Sequence, residues 1–370
     1  MNMKSLLLGS AAALVAVTGA RAADAVVIAE PEPMDYVRVC DTYGTGFYYI
    51  PGTETCLRIG GYMQYDIGVG FLGFEDVVDK KDDLDGEFNT NDTYFKRARA
   101  SVQIDARSET ELGTLRSYME FRFNDDQTTV EEDGFTNTTQ SWEINHGYIE
   151  LGGFRVGKTD SLFSTFTGYA GGVINDSFDG LSYGPFDTNQ IAYTFTGGNG
   201  FAAAVALEEG NGHDFTIDSY MPHVVGGASF TQGWGGISAV AGYDSVNEEW
   251  AAKARVDFNA TEALSLFVMA GWKSGANEDG DFDDLNYYGD WSGDWIIFGG
   301  ATFEATEKAA INVQLSVNEA EDFAAVANVA YKLVPGLTIT PEIVYVNYGD
   351  EADDIEDDHW GGWLRFRRSF

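Results

Sequence analysis

The stretch "YFKRARASVQIDA", residues 94–106, decides the fold of this 370-residue chain. Ala98, Ala100, Val102, Ile104 and Ala106 share one parity, and Arg97, Arg99, Ser101, Gln103 and Asp105 share the other. Strand side chains point to opposite faces in turn, so this period marks a strand with one apolar and one polar face. The pattern recurs on both sides. In "CLRIGGYMQYDI", Leu57, Ile59, Met63, Tyr65 and Ile67 oppose Arg58, Tyr62, Gln64 and Asp66. In "TLRSYMEFRFN", Leu115, Met119, Phe121 and Phe123 share a side with Ser117, against Arg116, Tyr118, Glu120, Arg122 and Asn124. The terminal "GGWLRFRRSF", 361–370, sets Gly362, Leu364, Phe366 and Phe370 against Trp363, Arg365, Arg367 and Ser369; Arg368 is a charge in the apolar row.

Alternation divides the chain into about sixteen strand-like segments: 57–67, 94–106, 112–124, 140–152, 153–159, 190–197, 200–208, 222–231, 234–243, 250–258, 263–272, 293–304, 307–317, 322–333, 336–348 and 359–370. The 52 aromatics, 44 glycines and seven prolines suit an all-β chain. The connections alternate in length. "ARSETEL", "LGGF", "GGNG", "TQGW", "NATE", "EATE" and "LVPG" are short and turn-forming. "GFEDVVDKKDDLDGEFNTND", "NDDQTTVEEDG", "ANEDGDFDDLNYYGD" and "GDEADDIEDD" are long and acidic. Tight turns at one end and extended loops at the other are the pattern of a barrel threaded through an outer membrane. Sixteen strands in one sheet leave edges that only closure removes, and a barrel of that size encloses water. The expected fold is a 16-stranded antiparallel transmembrane β-barrel, its last strand closing against the first near residues 57–67.

The ends of the chain support export. "MNMKSLLLGSAAALVAVTGARA" has a basic Lys4, an apolar run from Leu6 to Val17 and the small-x-small Ala20-Arg21-Ala22, so residues 1–22 read as a signal peptide cut before Ala23. Residues 23–370 then form one barrel domain. Losing Lys4 and Arg21 moves the net charge from −37 to −39, which repels nucleic acid. Beyond the signal no run of 18 apolar residues exists, so no membrane helix is encoded. Cys40 and Cys56 are the only cysteines; in an oxidising compartment the expectation is a disulfide closing a short loop, segment 40–56. Phe370, a terminal aromatic on an apolar face, is the kind of signal by which the C-terminal strand is delivered to the barrel assembly machinery.

"YVRVCDTYGTGFYYIPGTETCLRIGGY", "ETELGT", "TFTGY", "VINDSF", "IAYTFTGGNGF", "YMPHVVGG", "YKLVPGLTITPE" and the terminal "RFRRSF" together resemble the alphaproteobacterial general porins, including those of Brucella and related Rhizobiales. The resemblance spans the whole chain. It implies a homotrimer in outer-membrane lipid and lipopolysaccharide, with the third external loop folded into the bore as a constriction. Here that loop is about 160–189, "DSLFSTFTGYAGGVINDSFDGLSYGPFDTN", where Phe163, Phe166 and Tyr169 mix with Gly168, Gly171 and Gly172. Arg368 departs from the pattern, since many barrels carry an aromatic there. On this reading the loop acids Asp160, Asp176, Asp179 and Asp187 face a basic wall of Arg58, Arg97, Arg99, Arg116, Arg122, Arg365 and Arg367. Opposed charges across a narrow bore set up a transverse field that sorts small hydrophilic solutes and ions. Overall acidity adds a mild cation preference.

Other functions fit less well. An enzyme on a barrel needs an activated nucleophile or paired rim acids, and His146, His213, His223 and His359 have no such context; His146 shares the parity of Ile144 and Tyr148. "DGDFDD" places Asp279, Asp281 and Asp283 at the first, third and fifth positions of a calcium loop, but Asp284 replaces the Gly and Asp290 the Glu. No metal or other cofactor is expected. A substrate-specific channel, for example for sugars, would want a row of bore aromatics, and Tyr62 and Tyr118 are scattered candidates.

Overall fold

The computed structural model describes residues 38–72, 93–130, 135–275, 285–349 and 358–370. The expected signal segment, the acidic stretch 73–92, the aspartates of 279–284 and most of the last acidic connection lie outside the described residues. A two-residue strand, β1 (Tyr48–Tyr49), precedes sixteen longer ones. These are β2 (Cys56–Gly70), β3 (Phe95–Thr110), β4 (Gly113–Val130), β5 (Phe135–Leu151), β6 (Phe154–Thr159), β7 (Thr188–Thr196), β8 (Phe201–Glu208) and β9 (His223–Gln232). The second half comprises β10 (Gly235–Tyr243), β11 (Trp250–Asn259), β12 (Leu264–Lys273), β13 (Trp295–Thr306), β14 (Ala309–Asn318), β15 (Phe323–Val334), β16 (Leu337–Asn347) and β17 (Asp358–Ser369). Two short helices, α1 (Leu162–Phe166) and α2 (Gly212–Phe215), lie in connections.

From β2 onward each strand pairs antiparallel with the next, and β17 pairs with β2 from Gly361↔Gly70 to Ser369↔Tyr62. The sheet is a closed 16-stranded barrel. One parity of each strand exposes large apolar side chains, among them Ile59, Met63, Val69, Phe123, Val205, Ile237, Val268, Leu315 and Ile343. The opposite parity lines the inside. This is the lipid-out, polar-in arrangement of a membrane barrel.

Several strands run beyond the alternation limits. β3 continues to Thr110, leaving only Glu111 and Leu112 for the turn, and β4 continues to Val130. Much of the acidic stretch 124–134 is therefore wall, not loop. Asp126 finds Arg97 across the sheet at 2.9 Å, so an acid that reads as loop in one dimension is a partner in two. Two long-end connections, 244–249 and 319–322, are also compact.

A register shift between Glu120 and Phe121 inserts Asn145 as an extra residue in β5. The bulge inverts the parity of everything after it. Ile144 points outward, while His146 and Tyr148 point inward and Ile149 outward. His146 therefore does not share a face with Ile144.

The closing seam ends on Phe370. Gly61 N–H donates to Phe370 O (3.2 Å) and Phe370 N–H to Gly61 O (3.1 Å). A Cβ on Gly61 would sit 2.0 Å from Ser101 O of β3, so only glycine lets β2 hold both neighbours here. Arg368 is opposite Leu337, one residue past the turn at Gly336, which places the odd charge at the barrel rim. Cys40 and Cys56 are bonded, with Cα atoms 6.0 Å apart. The segment they close packs Phe47 beneath Arg58 and Arg107, at 5.0 and 5.2 Å from the ring centre.

Gly61→Ala should cost about 2–3 kcal/mol through this backbone clash. The expected result is a lower temperature for conversion of the compact barrel to the unfolded band on unboiled gels. An unchanged temperature would mean that the seam does not depend on the close approach.

Candidate functional site: the pore lining and the 160–187 loop

The inner surface has two unlike halves. From β17 through β2 to β6 it is charged. Arg365 and Arg97 make two-bond pairs with Asp66 and Asp126 (2.8–3.0 Å). Asp105 receives two bonds each from Arg107 and Arg116 (2.7–3.1 Å), with Arg58 at 3.6 Å. Glu150 holds Arg116 and Arg155, both at 2.8 Å, and Glu120 holds Arg122 at 3.0 Å. Arg99 and Arg367 donate to the amide oxygens of Asn124 (2.6 Å) and Gln64 (2.8 Å).

From β8 to β11 the same inward parity carries Ala204, Ala206, Val225, Gly227, Val240, Gly242 and Ala251. Small side chains leave room for something else to pack there, and residues of the connection between β6 and β7 pack against them. β6 has six residues beside the seventeen of β5, so the chain leaves the wall partway up, at Thr159. Ser161 caps α1 by accepting from Phe163 N–H (3.1 Å). A Cβ on Gly227 would meet the ring of Phe166 from this connection at 2.7 Å, and one on Gly242 would meet the ring of Tyr288, from the connection between β12 and β13, at 2.5 Å. The glycines are notches for loop aromatics.

Buried polar groups fix the loop. Glu208, at the end of β8, accepts from Ser161 Oγ and Leu162 N–H (both 2.7 Å) and from Tyr288 OH (3.1 Å). Lys253 Nζ donates to Tyr183 O (2.5 Å) and lies 4.7 Å from the Phe163 ring centre. Farther along, Asn328 donates to Gly172 O (3.1 Å), Gln314 to Asp176 O (2.8 Å) and Asn318 to Gly180 O (2.8 Å). Glu342 accepts from the N–H groups of Ile174 (2.5 Å) and Asn175 (2.9 Å). A loop that starts between β6 and β7 is thus bonded to inward-facing residues of β11, β14, β15 and β16.

The four aspartates singled out in this loop do different things. Asp160 is buried and accepts from Tyr169 OH (2.6 Å), and Asp187 pairs with Lys158. Both lie within electrostatic reach of His146, whose Nδ1 is 3.0 Å from Thr159 Oγ1. Asp176 accepts from Tyr183 OH (2.7 Å). Asp179 is exposed and near Asp290. The arginines likewise divide. Arg58, Arg107 and Arg116 cluster toward the turn end, while Arg97 and Arg365 stand toward the loop end, with Arg99, Arg122 and Arg367 between. His223, buried, accepts from Ser245 N–H at Nδ1 (3.0 Å) and lies 2.7 Å from Phe215 O through Nε2; His213 pairs with neighbouring Asp214 (2.8 Å).

Sequence reading missed Lys158, Glu208, Lys253, Arg255 and Glu342. Arg255 donates to Tyr169 O (2.5 Å) and rests on the Phe267 ring, 4.2 Å from its centre. "WAAKARVDF" does place Lys253, Arg255 and Asp257 on one parity, the same signal that picked out β3. Glu208 and Glu342 carry no such signal, because their partners are loop backbone distant in sequence.

A closed barrel with an apolar outside and a charged inside is a membrane channel. The chain belongs to the porin subfamily, whose profile matches residues 24–363. It is 47% identical over the full length of both chains to porin Omp2b of Brucella suis, and 48% identical, again over both full lengths, to porin Omp2a of Brucella melitensis. Among solved structures it is similar to the outer membrane channel DcaP of Acinetobacter baumannii, with a TM-score of 0.65 and 16% identity over 87% of this chain and 99% of that one. A mutant porin of Rh. blastica gives 0.56 at 13% identity over 85% and 100%. The protein is a general porin channel of the outer membrane, with the fold and family of a channel rather than of an enzyme.

Burial pushes the Asp176 carboxyl above the ordinary carboxylate range, despite the Tyr183 hydroxyl that donates to it. The packed loop therefore favours the neutral acid. Its stability is greatest in acid and declines as pH rises past about 4, the ordinary carboxyl value. Asp176→Asn should flatten this dependence and protect the loop from chymotrypsin at neutral pH. Equal pH dependence of cleavage in both proteins would contradict the assignment.

Proposed function

We propose that the protein is a diffusion porin whose bore is narrowed by residues 160–187, so that small hydrophilic solutes are sorted by size and by charge. The observation that carries this reading is the set of hydrogen bonds from the loop to Lys253, Gln314, Asn328 and Glu342, all on inward-facing parity. A loop held there takes up bore cross-section. What remains open is bounded by the charged half of the wall, where Arg122 lies within electrostatic reach of Tyr169.

Of the loop acids, Asp179 is the exposed one and the best candidate for direct contact with solute; Asp160, Asp176 and Asp187 act mainly by holding the loop's shape. Arg97, Arg99, Arg122, Arg365 and Arg367 form the facing wall, while Arg58 and Arg116 line the turn-end mouth beside the disulfide segment. The candidate aromatics Tyr62 and Tyr118 already carry guanidiniums over their rings, Arg367 at 4.5 Å and Arg116 at 4.9 Å. That favours a general pore over a sugar track.

The remaining features of this reading are export by residues 1–22, a homotrimer in lipid and lipopolysaccharide, and assembly through the strand ending at Phe370. Support comes from the apolar outer belt and from the tie between Phe370 and Gly61.

Planar-bilayer recording tests the channel and its narrowing together. The protein should carry an ohmic current, and deleting 171–182 while keeping the Ser161 cap and the Lys158–Asp187 pair should raise conductance roughly twofold. Unchanged conductance in the deletion would refute the narrowing, and absence of current would refute the channel.

A further inference from the structure

The charged half of the wall is built in rows running across four strands. One row, read from β17 to β4, is Arg365, Asp66, Arg97, Asp126. Plus and minus alternate, and each guanidinium has a carboxylate. The next row, two residues toward the turn end, is Arg367, Gln64, Arg99, Asn124. It has the same geometry, but an amide stands wherever the first row has a carboxylate.

The amides are oriented to accept. Gln64 donates its Nε2–H to Asp66 (2.6 Å) and so turns its oxygen to Arg367. Asn124 donates to Ser141 Oγ (3.2 Å) and turns its oxygen to Arg99. Each arginine is held in place without a hydrogen bond to a carboxylate, although Asp66 lies within electrostatic reach of Arg367. Arg99 and Arg367 lie within each other's electrostatic reach, and Tyr62 sits between them, its ring under Arg367. Among the described residues these are the inward-facing arginines hydrogen-bonded to neutral side chains rather than to acids, Arg367 to Gln64 and Arg99 to Asn124 and Tyr62. Both are half-buried on a wall that faces the bore.

We propose that Arg99 and Arg367, with Tyr62, form an oxyanion-binding rung that takes the carboxylate or phosphate group of a passing solute. The inference rests on the channel reading and adds a solute class to it. A guanidinium fork matches a carboxylate or phosphate edge, and here the forks retain donors that no protein acid occupies. The compensated row beside it offers a solute much less, because its charges are already spent on each other.

The decisive variant keeps both arginines and changes only their partners. Gln64→Glu with Asn124→Asp gives this row the carboxylates of its neighbour; because Gln64→Glu also removes the N–H that Asp66 accepts, Asn124→Asp alone is measured beside it and should weaken block in the same direction. In potassium chloride, inorganic phosphate or acetate should reduce wild-type current saturably, and glycerol should not. In the double variant the half-blocking concentration should rise roughly tenfold, and the reversal potential should move toward cations. Arg99→Lys with Arg367→Lys, which keeps charge but loses the fork, should fall between the two. Comparing phosphate with acetate distinguishes a phosphate-reading rung from a carboxylate-reading one. Equal block in the wild type and the Gln64→Glu, Asn124→Asp variant, or block that never saturates, overturns the rung. Absence of any wild-type current counts instead against the channel; phosphorus NMR line broadening on detergent-solubilised protein, present in the wild type and lost in the double variant, then decides the rung by itself.

Discussion

Hydrocarbon offers no hydrogen-bond partner, and that constraint shapes the rest of this molecule. Every backbone N–H and C=O that crosses the membrane must find its complement within the protein. Sixteen strands meet the demand only when β17 returns to β2, and the seam is completed down to the last residue, where Phe370 exchanges hydrogen bonds with Gly61. Once the ring is closed its inside is decided as well. Side chains excluded from lipid have only the bore to occupy, and a bore of this circumference holds water.

The bore is shared between two chemistries. On the β8–β11 side the wall gives up size, with alanines and glycines where the opposite side has arginines, and the loop after Thr159 spends its aromatics filling that space. Glu208, Lys253 and Glu342 then fasten loop backbone to wall. Buried polar and ionisable groups of this kind are costly unless they are bonded, so each is a strong positional constraint on the loop. On the other side, long charged residues remain upright because neighbours in register brace them. Arg116 is held between Asp105 and Glu150, and Arg365 by Asp66. The protein thus combines a dry, packed half with a wet, charged half in one ring.

This division also separates two meanings of charge in a chain with a net charge of −37. Much of the acid lies in connections outside the wall, where salt screens it over about 8–10 Å. Within the wall, arginines and acids are interleaved, and the sign met by a solute depends on which rows are compensated. Where an amide stands in place of a carboxylate, as at Gln64 and Asn124, the arginines set the local sign.

The strands, their number and the closure of β17 on β2 were legible because alternation is local: one residue and its neighbour two places on carry the signal. Cys40 and Cys56 were legible by elimination, being the only cysteines. The inward parity of the arginines in β2, β3, β4 and β17 was legible for the same reason as the strands. What one dimension hid was everything set by the register between strands. The bulge at Asn145 turned His146 inward, Asp126 became a wall residue by meeting Arg97, and Asp160, Asp176 and Asp187 proved to be fastened to Tyr169, Tyr183 and Lys158. Away from that bulge, sequence determined which residues face water and which face lipid, since that follows from the pitch of a strand. Only the closed barrel decided which arginine meets a carboxylate and which an amide, because those partners lie up to about three hundred positions apart in the chain and come together only through the shear of the ring.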